Sequence, residues 1–309
     1  MKKKVTPKKT KTISKKISKA TAEPKPPFPA QKQTSPGLES KIHPRPKFEA
    51  PLYKSANKLL DKVALITGGD SGIGRAVAIL YAREGAHVAI TYLPVERTDA
   101  EETKMHVEKW GRKCLLIEGD LTKENFCKTA VEKTVKTLGA LDILVSNAAH
   151  QMRKQNISDI TTMEWDRTFK TNIYAYFHLV KAAQKYMKPG SAIIVTSSET
   201  ASVAPKELLD YSATKGAINT FTKSLAQMLI SKDIRVNAVA PGPVWTPLNV
   251  SDAGTSAKKV SKFGQDQPIK RPAQPEEIAP AYVFLASHAD SSYITGAVIA
   301  QTGGLPINS

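Results

Sequence analysis

From residue 61 onward, short apolar runs alternate with amphipathic stretches, and this alternation restricts the fold more than any other feature of the chain. Runs at 63–67, 87–92, 114–117, 143–146, 192–196, 235–239 and 297–300 read as strands. Between them, 73–83, 100–110, 123–138, 163–187, 212–229 and 275–287 carry helical patterns. The last begins with Pro275 and two glutamates, residue types that suit a helix N-terminus. Continuous apolar runs suit strands buried on both faces, and interleaved helices provide the crossovers that parallel strands need. The expected fold is therefore α/β: one doubly wound domain over 55–309 with a seven-stranded parallel sheet. Ligands of such sheets bind at the carboxyl ends of the strands.

The charge is concentrated elsewhere. Of a formal net charge of +17 over 309 residues, residues 1–54 carry 15 Lys and Arg against 3 Asp and Glu. The first 22 residues hold nine lysines and no acid, and a Pro-rich stretch from Glu23 to Pro29 follows. Low hydrophobicity, high charge and proline predict a disordered basic arm over 1–54, with order beginning near residue 50. Three roles compete for it: a solubilising arm, a polyanion-binding arm for nucleic acid or an anionic membrane, and a transit peptide.

No apolar run approaches the length of a bilayer span. Two cysteines, Cys114 and Cys127, exclude a disulfide scaffold and fit a reducing compartment, so a cytoplasmic location is expected. The six histidines are scattered without metal-ligand spacing, and no metal site is expected.

Three motifs bear on chemistry. After the first strand comes Thr67-Gly68-Gly69-Asp70-Ser71-Gly72-Ile73-Gly74, between a strand and a helix. Glycines there allow a tight turn and bring backbone amides close to a pyrophosphate at a helix N-terminus. A plain strand-to-helix turn is the competing reading. The second strand ends Thr91-Tyr92-Leu93, where dinucleotide folds often place an acid for a ribose 2′-hydroxyl or a base for a 2′-phosphate. Neither stands there; Glu96, Arg97 and Arg75 lie nearby, and the choice between NAD and NADP stays open. Finally, Tyr211 and Lys215 sit four apart at the start of a helix and share one face. An ammonium beside a phenol lowers its pKa toward a usable general acid/base.

Ser198 closes the fifth strand, Ser146-Asn147-Ala148-Ala149 the fourth, and Asn237 to Thr246 the sixth. Asp120-Leu121 follows the third, and Asn172 lies in the long helix. Together these motifs resemble the short-chain dehydrogenase/reductase family over about 61–304. Tyr92-Leu93, the Arg271–Ala279 segment and the Pro-containing extension resemble its bacterial general-stress and glucose/ribitol-type branch.

The resemblance implies a Rossmann fold, an NAD or NADP cofactor, a small alcohol or carbonyl substrate and a homotetramer. It implies that Tyr211 exchanges a proton with the substrate oxygen. Lys215 would hold the nicotinamide ribose and depress the Tyr211 pKa, Ser198 would bond the reacting oxygen, and Asn172 would hold a water linked to Lys215. Gly68, Ser71, Gly72, Ile73 and Gly74 would line the pyrophosphate. Tyr92, Asp120 and Leu121 would meet the adenosine end, with Asn147 and Ala148 beside its ribose. Pro241, Gly242, Val244 and Thr246 would line the nicotinamide.

Two motifs depart from the family pattern: the strand-four motif at Ser146 and Ala149, and the segment before Gly303-Gly304 at Thr302. No catalytic position is lost. Two other readings are a non-catalytic dinucleotide sensor and a protein acting mainly through its basic arm. The polar segment 245–268 is expected to act as a substrate lid, with Trp245 packing within it.

Overall fold

The computed structural model describes residues 23–307. Seven strands form one parallel sheet in the order β3-β2-β1-β4-β5-β6-β7. They are β1 (Val63–Thr67), β2 (His87–Tyr92), β3 (Cys114–Glu118), β4 (Ile143–Ser146), β5 (Ala192–Thr196), β6 (Arg235–Pro241) and β7 (Val298–Gln301). Every residue of β1, β4, β5 and β6 is buried, as the continuous apolar runs require. The strand order reverses direction between β1 and β4, and the carboxyl edge there is where a doubly wound sheet opens a crevice.

Helices cover both faces. On one lie α1 (Gly72–Arg83), α2 (Arg97–Glu108) and α7 (Pro275–Ala286), whose apolar residues share a core with Ile66, Ile90 and Ile194. On the other lie α3 (Glu124–Leu138), α5 (Ala175–Ala183) and α6 (Leu209–Leu229), packed against Leu65, Leu144 and Ile193. Neighbouring residues of one strand thus serve opposite cores, the two-residue period of a strand made visible.

The long helical pattern at 163–187 is broken in the structure. Thr161 caps α4 (Thr162–Phe169) by accepting from Glu164 N–H, while Glu164 bonds back to Thr161 N–H at 3.0 Å. A π-helical turn, Lys170–Tyr174, then separates α4 from α5 and contains Asn172. Such one-turn expansions gather at functional sites.

The expected disorder over 1–54 does not hold for residues 23–54, while the lysine-rich residues 1–22 lie outside the described ones. Residues 23–54 run as a strap across the domain. Phe28 stacks on Trp245 with ring centroids 4.2 Å apart, and Trp245 Nε1 donates to the Pro44 carbonyl at 2.7 Å. With Ile42, Val250 and Val260 they form a third apolar cluster. Lys47 N–H and Ala50 N–H donate to Gln274 and Glu276 at 2.9 and 2.6 Å, tying the strap to the start of α7. The average over 1–54 misled because nine of its fifteen bases precede Glu23. The remainder places an apolar residue wherever it crosses a groove, and its prolines lose little because an extended strap makes few bonds to itself.

Candidate active site

The carboxyl ends of β1, β4, β5 and β6 open into a cavity of about 490 Å³. It runs from the loop after β2, past the glycine turn, to Tyr211. All the expected site residues line it except Gly74 and Asn172, which stand behind its wall.

The turn is built on two glycines with left-handed backbone, Gly68 at φ +61° and Gly72 at φ +51°. At Gly74 a Cβ would lie 1.9 Å from the Gly68 carbonyl oxygen, so α1 can start this close to β1 only without a side chain. Asn147 secures the turn from behind. Its Nδ2 donates to the carbonyls of Thr67 and Gly68 at 3.1 and 3.2 Å, and its Oδ1 accepts from Thr196 Oγ1 at 3.0 Å. Thr67 Oγ1 in turn accepts from the N–H groups of Asn147 and Ala148. A bare glycine floor, a helix N-terminus and a long cleft beside them fit a dinucleotide.

At the other end, α6 carries Tyr211 and Lys215 on adjacent turns. Ser198, two residues beyond β5, hydrogen-bonds the Tyr211 phenol. Lys215 Nζ lies 5.2 Å from the Tyr211 ring centre and donates to the Thr196 carbonyl at 2.7 Å. Among the described residues no carboxylate lies within ion-pair reach of it. Burial alone therefore pulls the ammonium down to about 7. Burial also pushes Tyr211 up to about 12, with the Ser198 bond and Arg153 opposing it. This corrects the expectation of a depressed phenol in the free protein. Lys215 is turned onto a backbone carbonyl, and the loss of water around the phenol outweighs nearby positive charge.

Asn172 is fully engaged by the chain itself. Its Nδ2 donates to the His150 carbonyl and to Thr214 Oγ1, each at 3.0 Å, and its Oδ1 accepts from His150 N–H at 2.8 Å. It fixes the loop after β4 against α6, and only the second lone pair of Oδ1 is left for a water.

His150, Gln151 and Arg153 continue the cavity beyond Tyr211. Gln151 Nε2 and Arg153 both donate to the buried Asp252, at 3.1 and 2.5 Å, which anchors the 245–268 segment over this end. That segment forms two short helices, Pro247–Val250 and Ala257–Ser261, and contributes Asn249, Ser251 and Phe263 to the wall. Trp245 is fully buried in the strap cluster and takes packing as its role. Both cysteines are free and buried. Among the described residues no cluster could hold a metal ion.

Sequence reasoning missed the strap's share of this wall, Ser35, Pro36 and Gly37. It also missed Thr196, whose hydroxyl bonds Asn147 and Tyr282 and whose carbonyl takes Lys215. Thr196 closes a strand as ordinary β-branched filler, and nothing in its spacing marks it.

Comparison with known proteins agrees with this architecture. Residues 68–306 match the family model described as enoyl-(acyl carrier protein) reductase. General stress protein 39 of Bacillus subtilis is 57% identical over 278 residues, 90% of this chain and 96% of that protein. The chain belongs to the short-chain dehydrogenase/reductase family. Glucose and ribitol dehydrogenase homolog 2 of Arabidopsis thaliana is 49% identical, covering 91% of this chain and 99% of its own, so the branch read from the motifs holds as well. A short-chain dehydrogenase from Burkholderia cenocepacia, solved in complex with NADP, superposes with a TM-score of 0.73 at 30% identity. It covers 80% of this chain and 98% of its own. A 3-ketoacyl-(acyl-carrier-protein) reductase from Brucella melitensis complexed with NADH gives 0.71 at 30% identity, with the same coverage. Some 30 residues before β1 form the strap.

Proposed function

We propose that this oxidoreductase interconverts a small alcohol and its aldehyde or ketone, using NAD(H) or NADP(H). The observation that carries the reading is one continuous cavity with the glycine turn at one end and Ser198, Tyr211 and Lys215 converging at the other. When bound, the nicotinamide gives or takes the hydride. Tyr211 gives a proton to the substrate oxygen, or takes one, as charge develops there. Ser198, already bonded to the phenol, orients that oxygen and stabilises its charge. Lys215 is poised to change charge near neutral pH and lies beside the phenol; it would hold the ribose hydroxyls and, when protonated, favour phenolate. Asn172 keeps the β4 loop and α6 in register. Glycines of the turn and the β6 loop, Pro241 to Thr246, would flank the two halves of the cofactor.

A homotetramer fits the exposed aromatic side chains of α4, the π-turn and α5, Trp165, Tyr174 and Phe177, which a monomer leaves in water. Light scattering on the purified protein measures it. Two free cysteines suit a cytoplasmic protein, and polyanion contact through lysines 2–19 is testable by comparing nucleic-acid binding with and without those residues. No described helix is long and apolar enough to cross a membrane.

The deciding experiment pairs turnover with binding. Tyr211→Phe should retain dinucleotide affinity by nicotinamide fluorescence and lose nearly all reduction of an aldehyde panel. Undiminished turnover in that variant overturns the mechanism.

A further inference from the structure

The strap reaches the cavity through a finger that its own side chains hold closed. Gln33 Nε2 donates to the Leu38 carbonyl at 3.0 Å, and Gln33 Oε1 accepts from Leu38 N–H at 2.8 Å. One side-chain amide, with both a donor and an acceptor, thus closes the loop 33–38 as a strand partner would. Gln31 treats His43 in the same way: its Nε2 donates to the His43 carbonyl, and its Oε1 accepts from His43 N–H at 2.9 Å. The tip of the finger, Ser35, Pro36 and Gly37, lines the cavity. Compact loops with close ends, packed by their own side chains, frequently carry function.

The finger is fastened on two sides. Toward the glycine turn, Glu39 is fully buried, and its Oε2 accepts from Gly72 N–H at 2.5 Å. Its Oε1 lies 2.9 Å from Arg75, and Asp99 accepts from Glu39 N–H at 2.6 Å. Arg75 is itself fixed: its Nε donates to the Asp70 carbonyl, and its terminal nitrogens meet Glu102 and the Asp99 carbonyl, each at 2.8 Å. Toward the 245–268 segment, Phe28 N–H donates to the Ser261 carbonyl at 2.8 Å and Gln33 N–H to the Val250 carbonyl at 3.2 Å. Lys32 Nζ adds a bond to the Ala253 carbonyl at 3.1 Å. All three parts close on one another: a Cβ at Gly37 would lie 3.0 Å from Ser251 Cβ, and one at Gly72 would lie 3.0 Å from the Thr246 methyl.

We infer that the finger at Ser35 to Gly37 is part of the dinucleotide site, and that the strap is its latch: it ties the 245–268 segment to the glycine turn, so that cofactor leaves only when strap and segment lift together. The inference rests on the dinucleotide reading above and deepens it. A molecule that reaches from the glycine turn to Tyr211 must lie along the wall that carries the finger. Opening that wall breaks bonds at both fastenings at once, and openings that break many contacts are rare. Gln33 and Glu39 are positioning residues here: one keeps the finger closed, the other seats it beside the turn.

The test loads the full chain with NADH or with NADPH, displaces it with an excess of the oxidised cofactor, and follows release by nicotinamide fluorescence in stopped flow. Gln33→Ala should speed release of both cofactors about tenfold and speed their capture less, the usual division when a closed site is loosened. Glu39→Gln, which loosens the other fastening, should speed release of both severalfold. Amide hydrogen exchange over residues 247–261 should quicken in the same two variants. Release rates that match the wild type in both variants overturn the inference, and so does a fall in melting temperature with release unchanged. Faster release while the 247–261 amides keep their protection overturns the tie between strap and segment. Binding of neither cofactor by folded wild-type protein overturns the dinucleotide reading itself, and the latch with it.

Discussion

The two ends of the cavity are built by different means. At the catalytic end, Ser198, Tyr211 and Lys215 come from one strand end and one helix, and few residues of chain set their geometry. At the adenosine end, Arg75, Asp99 and Glu102 from α1 and α2 meet Glu39 from a strap that returns from well before β1. The second end depends on a segment that belongs to no regular element beyond a single three-residue turn. The candidate catalytic side chains therefore sit on rigid elements, while the underside of the glycine turn is completed by an appended segment.

Substitutions can sharpen this contrast. Tyr211→Phe carries the largest expected effect, a fall in turnover of about 10²–10⁴-fold, the usual worth of a positioned acid/base. Its thermal stability should move little, because the ring stays and only the phenol bond to Ser198 is lost. Phe28→Ala tests the opposite end. The ring is 6% exposed and packed on Trp245, so its loss should cost about 3 kcal/mol in denaturant unfolding. It should also weaken dinucleotide binding, since Ser35 to Gly37 line the cavity just beyond. An unchanged unfolding midpoint would mean that the strap is a detachable appendage and the contrast is false.

A third effect depends on pH. Lys215 is held at about 7 in the fold, below its ordinary 10.5. Between those values the unfolded chain binds the extra proton, so stability rises with pH through this window. Lys215→Met removes the dependence. The variant should melt above the wild type near pH 7, and the gap should close toward pH 10. The smallest effect is expected at Lys104, whose i,i+4 pair with Glu108 is solvent-exposed. Lys104→Ala should change stability by less than about 0.5 kcal/mol and leave both ends of the cavity intact.

Much of this was legible in the residues, and the failures have physical causes. The seven strands were readable because both faces of each are covered, which makes polarity within a run costly. Tyr211, Lys215 and Ser198 were legible as candidates because their motif types recur in a fixed order along the sheet, and the structure brings them to one end of the cavity. The π-turn at Lys170–Tyr174 left no mark: one extra residue per turn shifts the apolar period too briefly to register, and no glycine or proline signals it. The strap was misread because composition averages over a window, whereas docking depends on single residues such as Phe28, Ile42 and Phe48 meeting partners on the domain. The Tyr211 shift was misread because pairing on a helix face says nothing about how much water the fold removes.

The strap's attachments also set an order of assembly. Lys47 meets Gln274 and Trp245 meets Pro44, separations of 227 and 201 residues. A chain emerging from the ribosome exposes the strap first and its anchors last. β1 to β5 can pair as they appear, but the strap around Pro44 to Ala50 can be fastened only when Trp245 and α7 have been made. Long-range contacts of this kind are among the slowest to form. Glu39, by contrast, is tied to Gly72 and Asp99 over separations of only 33 and 60 residues, so the glycine turn can receive its underlying carboxylate once α2 exists, while the flanks of the strap are fastened near the end of synthesis.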